Sequence, residues 1–134
     1  MSGETLELFV SITLWVLGGI VVGFCLEILF PLYRISGNSM WPTYHDGEMF
    51  LCRRIFRKSK IRCGDVICYK APEGASPVIK RVTRIKYKEG KLYFFCEGDN
   101  YKNSYDSRKY GFVSEDNIIC RLPERYQRPN LYPC

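Results

Sequence analysis

The feature that most constrains this chain is the stretch from Leu8 to Leu26, LFVSITLWVLGGIVVGFCL, which is 19 residues without a formal charge. At about 1.5 Å per helical residue, such a run is as long as the hydrocarbon core of a bilayer is thick. The rest of a 134-residue chain makes a domain too small to cover that helix on all sides. The run is therefore expected to cross a membrane. A cleaved leader fits less well, because no basic residue precedes the run, it outruns a usual leader core, and no small-x-small site follows it. Glu27 interrupts the apolar pattern, but ILFPLY continues it to Tyr33, which puts Glu27 near an interface and makes Pro31 a natural helix end. Gly19 and Gly23 form a GxxxG, by itself a weak argument for a dimer.

Charge divides the chain at the same place. All 20 Lys and Arg lie from Arg34 onward, so residues 1–33 carry about −3 and residues 34–134 about +9. Positive-inside counting barely discriminates: only Arg34 lies within fifteen residues after the run, a slight lean toward a cytoplasmic C-terminal domain. The single histidine excludes HExxH metalloproteases and His-based zinc clusters, and no two cysteines have CxxC spacing, so no metal or cofactor is expected. Outside the anchor, Cys52, Cys63, Cys68, Cys96, Cys120 and Cys134 either pair or serve as small buried hydrophobes.

We divide the chain into an N-terminal segment, 1–33, with one transmembrane helix over about 8–30, a β-rich domain, 34–122, and an irregular, proline-rich tail, 123–134. After Tyr33 short runs rich in Val, Ile, Tyr and Phe alternate with turn residues. Strands are predicted over Met49–Arg53, Asp65–Lys70, Val78–Lys86, Leu92–Glu97 and Ile118–Leu122, with a hairpin turn at Lys88–Lys91 that uses Gly90. No convincing amphipathic helix follows the anchor.

Three segments could carry chemistry. SGNSMWPT, from Ser36 to Thr43, places hydroxyls in a Gly- and Pro-bounded turn whose backbone N–H groups could face a developing oxyanion. In Val78-Ile79-Lys80-Arg81-Val82, strand alternation puts Lys80 on the face of two valines, where desolvation disfavours the ammonium and prepares a general base. The run from Glu97 to Arg108 is dense in Asn, Asp and Ser, as expected of a loop held by side-chain-to-backbone hydrogen bonds. Its oxygen ligands do not follow the calcium-loop order.

Together these segments resemble the type I signal peptidases, which are membrane-anchored serine peptidases. SGNSMWPT is similar to the nucleophile box, VIKRV to the general-base box, GDNYKNSYDSR to the late box, and GDVICYKAP to the strand between the first two. The order matches as well, from about Ser36 to Arg121. The resemblance implies a mostly β catalytic domain of the compact form and a Ser/Lys dyad, with Ser39 as nucleophile and Lys80 as general base. It further implies that Ser36, Asn38 and Ser104 serve the oxyanion hole or orient the dyad. Asp99, Asn100, Asp106 and Arg108 would support the site, and Met40 and Pro42 would line the substrate pocket. The expected activity is endoproteolytic removal of signal peptides from exported precursors after a small-x-small sequence. The partners implied are those precursors and the lipid bilayer, with no nucleic acid. The catalytic domain would then lie outside the cytoplasm, at a bacterial plasma membrane in the first instance and a mitochondrial inner membrane in the second. Peptidases of the endoplasmic reticulum resemble this chain but carry histidine where it has Lys80.

Two other functions compete. One is a non-catalytic, membrane-tethered β domain whose positive charge binds anionic lipid or nucleic acid. The other is a self-cleaving Ser/Lys regulatory peptidase, against which the anchor argues. His45 reads as a surface loop residue. Phe30, Tyr33, Trp41 and Tyr44 are candidates for an aromatic rim at the bilayer, and the basic run from Arg53 to Arg62 for a contact with anionic headgroups.

Overall fold

The computed structural model describes residues 2–54, 58–74 and 76–123. The proposed irregular tail from residue 124 onward, Cys134, and Arg57 of the basic run lie outside these residues. Helix α1, Gly3–Leu29, is exposed along its whole length, and among the described residues it is the one helix long and apolar enough to cross a bilayer. It stops where Pro31 bars a helical conformation for Phe30, which sits at φ −132°.

The remainder is mostly β. Strands β1 (Leu32–Arg34) and β2 (Met49–Leu51) form an antiparallel ribbon directly after α1. A six-stranded antiparallel sheet holds β3 (Arg53–Arg54), β4 (Val66–Lys70), β5 (Pro77–Lys88), β6 (Lys91–Glu97), β7 (Val113–Ser114) and β8 (Ile118–Arg121), in the order β3-β8-β4-β5-β6-β7. The helix α2, Ser107–Tyr110, is a single turn capped by Asp106. The sequence reading differs at two points and holds at a third, the Lys88–Lys91 hairpin. The strand expected over Met49–Arg53 is broken at Cys52, whose N–H donates to Pro31 O, and its halves join different sheets. The strands β1 and β7 are too short to show a period of two. The hairpin between β5 and β6 turns on two residues, with Glu89 at φ 53° and Gly90 at φ 81°; both must adopt positive φ, and Glu89 does so without being glycine.

Both faces of the six-stranded sheet are covered. Val66 and Cys68 point into one core with Ile35, Met40, Tyr44, Phe50, Cys52 and Cys120; Ile67 and Tyr69 point into the other with Val82, Phe94, Cys96 and Val113. A strand buried on both faces reads as a continuous apolar run, which is why β4 is VICYK. The same double cover reaches the middle of β5 and buries two adjacent cations, Lys80 and Arg81, one on each face. A disulfide between Cys52 and Cys120 ties the start of β3 to β8, and Cys63 is also disulfide-bonded. Cys68 and Cys96 are buried free thiols.

Candidate active site

Ser39 sits in a turn made by several local devices. Gly37 takes φ 91°, and its N–H donates to Asp46 Oδ1 at 2.8 Å, turning the chain out of the β1 direction. Trp41 N–H then donates to Asn38 O at 3.2 Å and Tyr44 N–H to Met40 O at 3.0 Å, across a cis Trp41-Pro42 peptide. The turn rests on Gly98, the residue at which β6 has ended. A Cβ there would stand 2.6 Å from Ser39 O and collide with the Ser104 side chain, so only glycine permits this approach. Asn100 clamps the turn from the same side: its N–H donates to Ser39 O at 2.9 Å and its Nδ2 to Asn38 O at 3.0 Å. Among the described residues no acceptor takes the Ser39 N–H.

Lys80 comes to Ser39 from β5. Its neighbour across the ladder is Ile67, and Val78 and Val82 flank it on the same face, as strand alternation predicts. Only 4% of Lys80 is exposed, and Nζ lies 2.5 Å from Ser39 Oγ. Burial pushes its pKa below the ordinary lysine value; Asp106 acts upward and Arg108 downward. Among the described residues no carboxylate lies within ion-pair distance of Nζ. A lysine so placed can exist neutral and take the proton of a hydroxyl it already touches.

Asp106 explains the density of polar residues in the late loop. It is fully buried and accepts the Gly98 N–H at 2.8 Å, the Ser104 hydroxyl at 2.6 Å, and Arg108 through Nε at 2.8 Å and a terminal nitrogen at 2.6 Å. Burial alone would raise its pKa, but the hydrogen bonds from Arg108, Ser104 and the two backbone N–H groups hold it at about 2. Ser104 is therefore bonded to Asp106. Arg108 stacks 4.0 Å over the Tyr101 ring and stands 3.9 Å from Glu97.

A second network lies behind Ser39 and Lys80. Arg81 grips Asp99 with two bonds, Nε to Oδ1 at 2.7 Å and a terminal nitrogen to Oδ2 at 2.6 Å, and donates to Gly64 O at 2.7 Å. The Thr43 hydroxyl donates to the same Asp99 carboxylate. Sequence reasoning gave no role to Arg81, Thr43 or Gly98. The available signal was the pairing of Arg81 with the Asp of Gly98-Asp99-Asn100, hidden because Arg81 reads as the outward residue of an alternating strand.

The other expected positions are spread more widely. Ser36 and Asn38 are exposed; Asn38 contributes its carbonyl to the turn, and Ser36 makes no hydrogen bond among the described residues. Met40 is 2% exposed and belongs to the first core, beneath the turn, whereas Pro42 is at the surface. Of the aromatic rim, Trp41 and Phe30 are exposed, but Tyr44 is buried with its hydroxyl on Pro123 O, and Tyr33 stacks on Phe50. Leu32, Met49 and Leu51 are exposed on the outer face of the β1–β2 ribbon in their place. His45 lies at the surface beside Glu48.

A sequence profile of the family described as "Signal peptidase, peptidase S26" matches residues 6–94 and 88–126. Similar proteins include the signal peptidase complex catalytic subunit SEC11C of Homo sapiens, 30% identical over 79 residues, which are 58% of this chain and 40% of that protein. Signal peptidase I V of Bacillus subtilis is 26% identical, covering 78% of this chain and 93% of its own length. Mitochondrial inner membrane protease subunit 1 of Xenopus tropicalis is 30% identical, covering 71% and 68%. The chain spans less than half the length of the SEC11C relatives it matches.

Proposed function

As the chain belongs to the signal peptidase family, peptidase S26, we propose that it is a membrane-anchored serine endopeptidase that cleaves signal peptides from exported precursors. The observation that carries this reading is the 2.5 Å approach of Lys80 Nζ to Ser39 Oγ in a buried setting where, among the described residues, no carboxylate stands within ion-pair distance of Nζ. Neutral Lys80 accepts the Ser39 proton as Oγ bonds to the scissile carbonyl carbon. The Ser39 N–H donates to the resulting oxyanion. Collapse breaks the C–N bond, and the amine leaves with the proton from Lys80. Water then attacks the acyl carbon and gives a proton to Lys80; collapse breaks the ester C–Oγ bond, Lys80 returns the proton to Ser39 Oγ, and the acid product departs.

The sheet offers a place for an extended substrate. The strand β5 pairs with β4 over Pro77–Arg81, but β6 reaches no further than the Arg81–Glu97 pair, so Pro77–Lys80 has an edge that no strand among the described residues covers. A peptide added there runs directly toward the dyad. Cleavage after small residues at the first and third positions rests on the resemblance of the boxes around Ser39 and Lys80. Exposed Phe30, Leu32, Trp41, Met49 and Leu51 continue the apolar surface of α1 onto the domain, which suits work on a membrane-held substrate.

The Cys52–Cys120 disulfide supports a domain outside the cytoplasm, since such bonds persist in oxidising compartments, and it weighs more than the faint charge asymmetry around α1. Protease accessibility of the domain in sealed vesicles checks this: a protected, cytoplasmic domain refutes it. For the dyad, Ser39→Ala and Lys80→Ala should each abolish cleavage of a small-x-small precursor by enzyme in liposomes, with an unchanged circular dichroism spectrum. Cleavage retained in either variant overturns the mechanism.

A further inference from the structure

Two charges of opposite sign act on Lys80 from beyond contact distance, Asp106 and Arg108, and they are bonded to each other. Asp106, fully buried, is the acid in the late loop that acts on Lys80; β6 adds Cys96, a buried thiol pushed upward by burial, and Glu97, and α2 adds Arg108. An ionised carboxylate beside a buried lysine ordinarily holds the lysine as ammonium. Such a pairing would make Lys80 useless as a base. Here both Asp106 oxygens are taken, Oδ1 by Arg108 Nε and backbone N–H, and Oδ2 by the other guanidinium nitrogen, Ser104 and Gly98. The guanidinium is fixed in its turn by the Tyr101 ring at 4.0 Å and by Glu97 at 3.9 Å.

We propose that Arg108 is a positioning residue that acts as the counter-charge of Asp106, keeping this carboxylate from pairing with Lys80 and leaving Nζ to Ser39. The inference rests on the Ser39/Lys80 reading and adds to it a charge role for a residue whose position suggests only mechanical support. A fork is suited to the task because it satisfies both oxygens in one plane. Removing the guanidinium exposes Lys80 to the uncompensated carboxylate, whereas neutralising Asp106 leaves the guanidinium uncompensated. The two changes push Lys80 in opposite directions.

The test is the pH dependence of kcat/KM for full-length enzyme in liposomes. Activity requires neutral Lys80, so it rises with pH through the lysine's titration. Arg108→Gln is expected to move that acidic limb to higher pH by about one to two units, with activity recovering on the alkaline side. Asp106→Asn is expected to move it to lower pH, and the double variant to bring it back toward wild type. Arg108→Lys keeps the charge without the fork; its limb stays close to wild type while kcat falls, and it serves as the probe should Arg108→Gln fail to fold. A limb that stays in place in Arg108→Gln while activity drops equally at all pH overturns the proposal, as does an upward shift of the Arg108→Lys limb to match Gln. Lys80→Ala measured alongside separates the two layers. If it retains activity, the dyad itself is wrong; if it is inactive and the limbs do not move, only the counter-charge role fails.

Discussion

Lys80 and Arg81 are neighbours in one strand, both are almost wholly buried, and the structure treats them in opposite ways. On one face of β5, Arg81 receives both oxygens of Asp99 and the Gly64 carbonyl, so its charge is fully met. On the other face Lys80 receives a serine hydroxyl, while the carboxylate that acts on it is already occupied by Arg108. Desolvation penalises the two cations alike. Arginine cannot shed its proton and must be paired; lysine can shed it, and here burial pushes its pKa below the ordinary value. The contrast separates a residue that holds the site together from one that the proposed mechanism uses as its base, in a way burial alone does not.

The largest effect should come from breaking the reactive side. Lys80→Met keeps length and apolar packing and removes the base, so cleavage should fall by about four orders of magnitude or more. Stability should not fall with it. A lysine whose folded pKa is depressed binds fewer protons folded than unfolded in the window from that pKa up to 10.5, so its burial is unfavourable at low pH and the cost fades as pH rises through this window. Lys80→Met should therefore be as stable as wild type or more so at neutral pH, with the difference shrinking toward pH 10.5. Thermal melts across pH test this. A variant less stable at neutral pH would mean Lys80 is a paired structural cation like Arg81.

Breaking the structural side should give the reverse pattern. Arg81→Met leaves the partly buried Asp99 carboxylate with Thr43 as its remaining side-chain donor, a change expected to approach the lower end of the about 3–5 kcal/mol lost when one partner of a buried pair is removed. Chemical denaturation should show a large fall in midpoint, and any folded remainder should keep an unmoved pH limb. Acid exposes the other carboxylate: Asp106, held at about 2 against its ordinary 3.8, contributes stability that is present above pH 3.8 and lost as pH falls through about 2. Unfolding between pH 4 and 2 should weaken in Asp106→Asn.

Lys80 was legible from sequence because its two valine neighbours set its face, and the strand really does alternate there. Arg81 was not, because alternation assigns it to solvent only if one face of the sheet is open. Both faces are covered, and that follows from the ribbon of β1 and β2 folding over the first core, a pairing of Leu32–Arg34 with Met49–Leu51 across a long loop. Three-residue strands carry no period to read. The break at Cys52 was hidden for a similar reason, since a change of sheet depends on which carbonyl meets an N–H, and here Pro31 supplies it. The boxes around Ser39, Lys80 and Asp106 stood out by residue type, whereas the contacts joining them, Gly98 under Ser39 O and Asn100 on Asn38 O, are distances no spacing encodes.

The smallest expected effect tests where the two sides meet. Thr43 belongs to the nucleophile turn, yet its hydroxyl bonds Asp99, the partner of Arg81. Thr43→Val keeps the shape and removes that donor; Asp99 retains both bonds from Arg81, so the loss should be about 1 kcal/mol rather than that of an orphaned charge. The turn loses one of its ties to the carboxylate but keeps Asn100 on Ser39 O and on Asn38 O, so kcat should fall by about tenfold or less, with the acidic limb of the pH profile unmoved. An unmoved limb with modest losses in both stability and rate would show that the Arg81 face reaches Ser39 through position alone. A limb displaced as in Arg108→Gln would show that Asp99 also sets the charge of Lys80, and the division between the two faces of β5 would have to be abandoned.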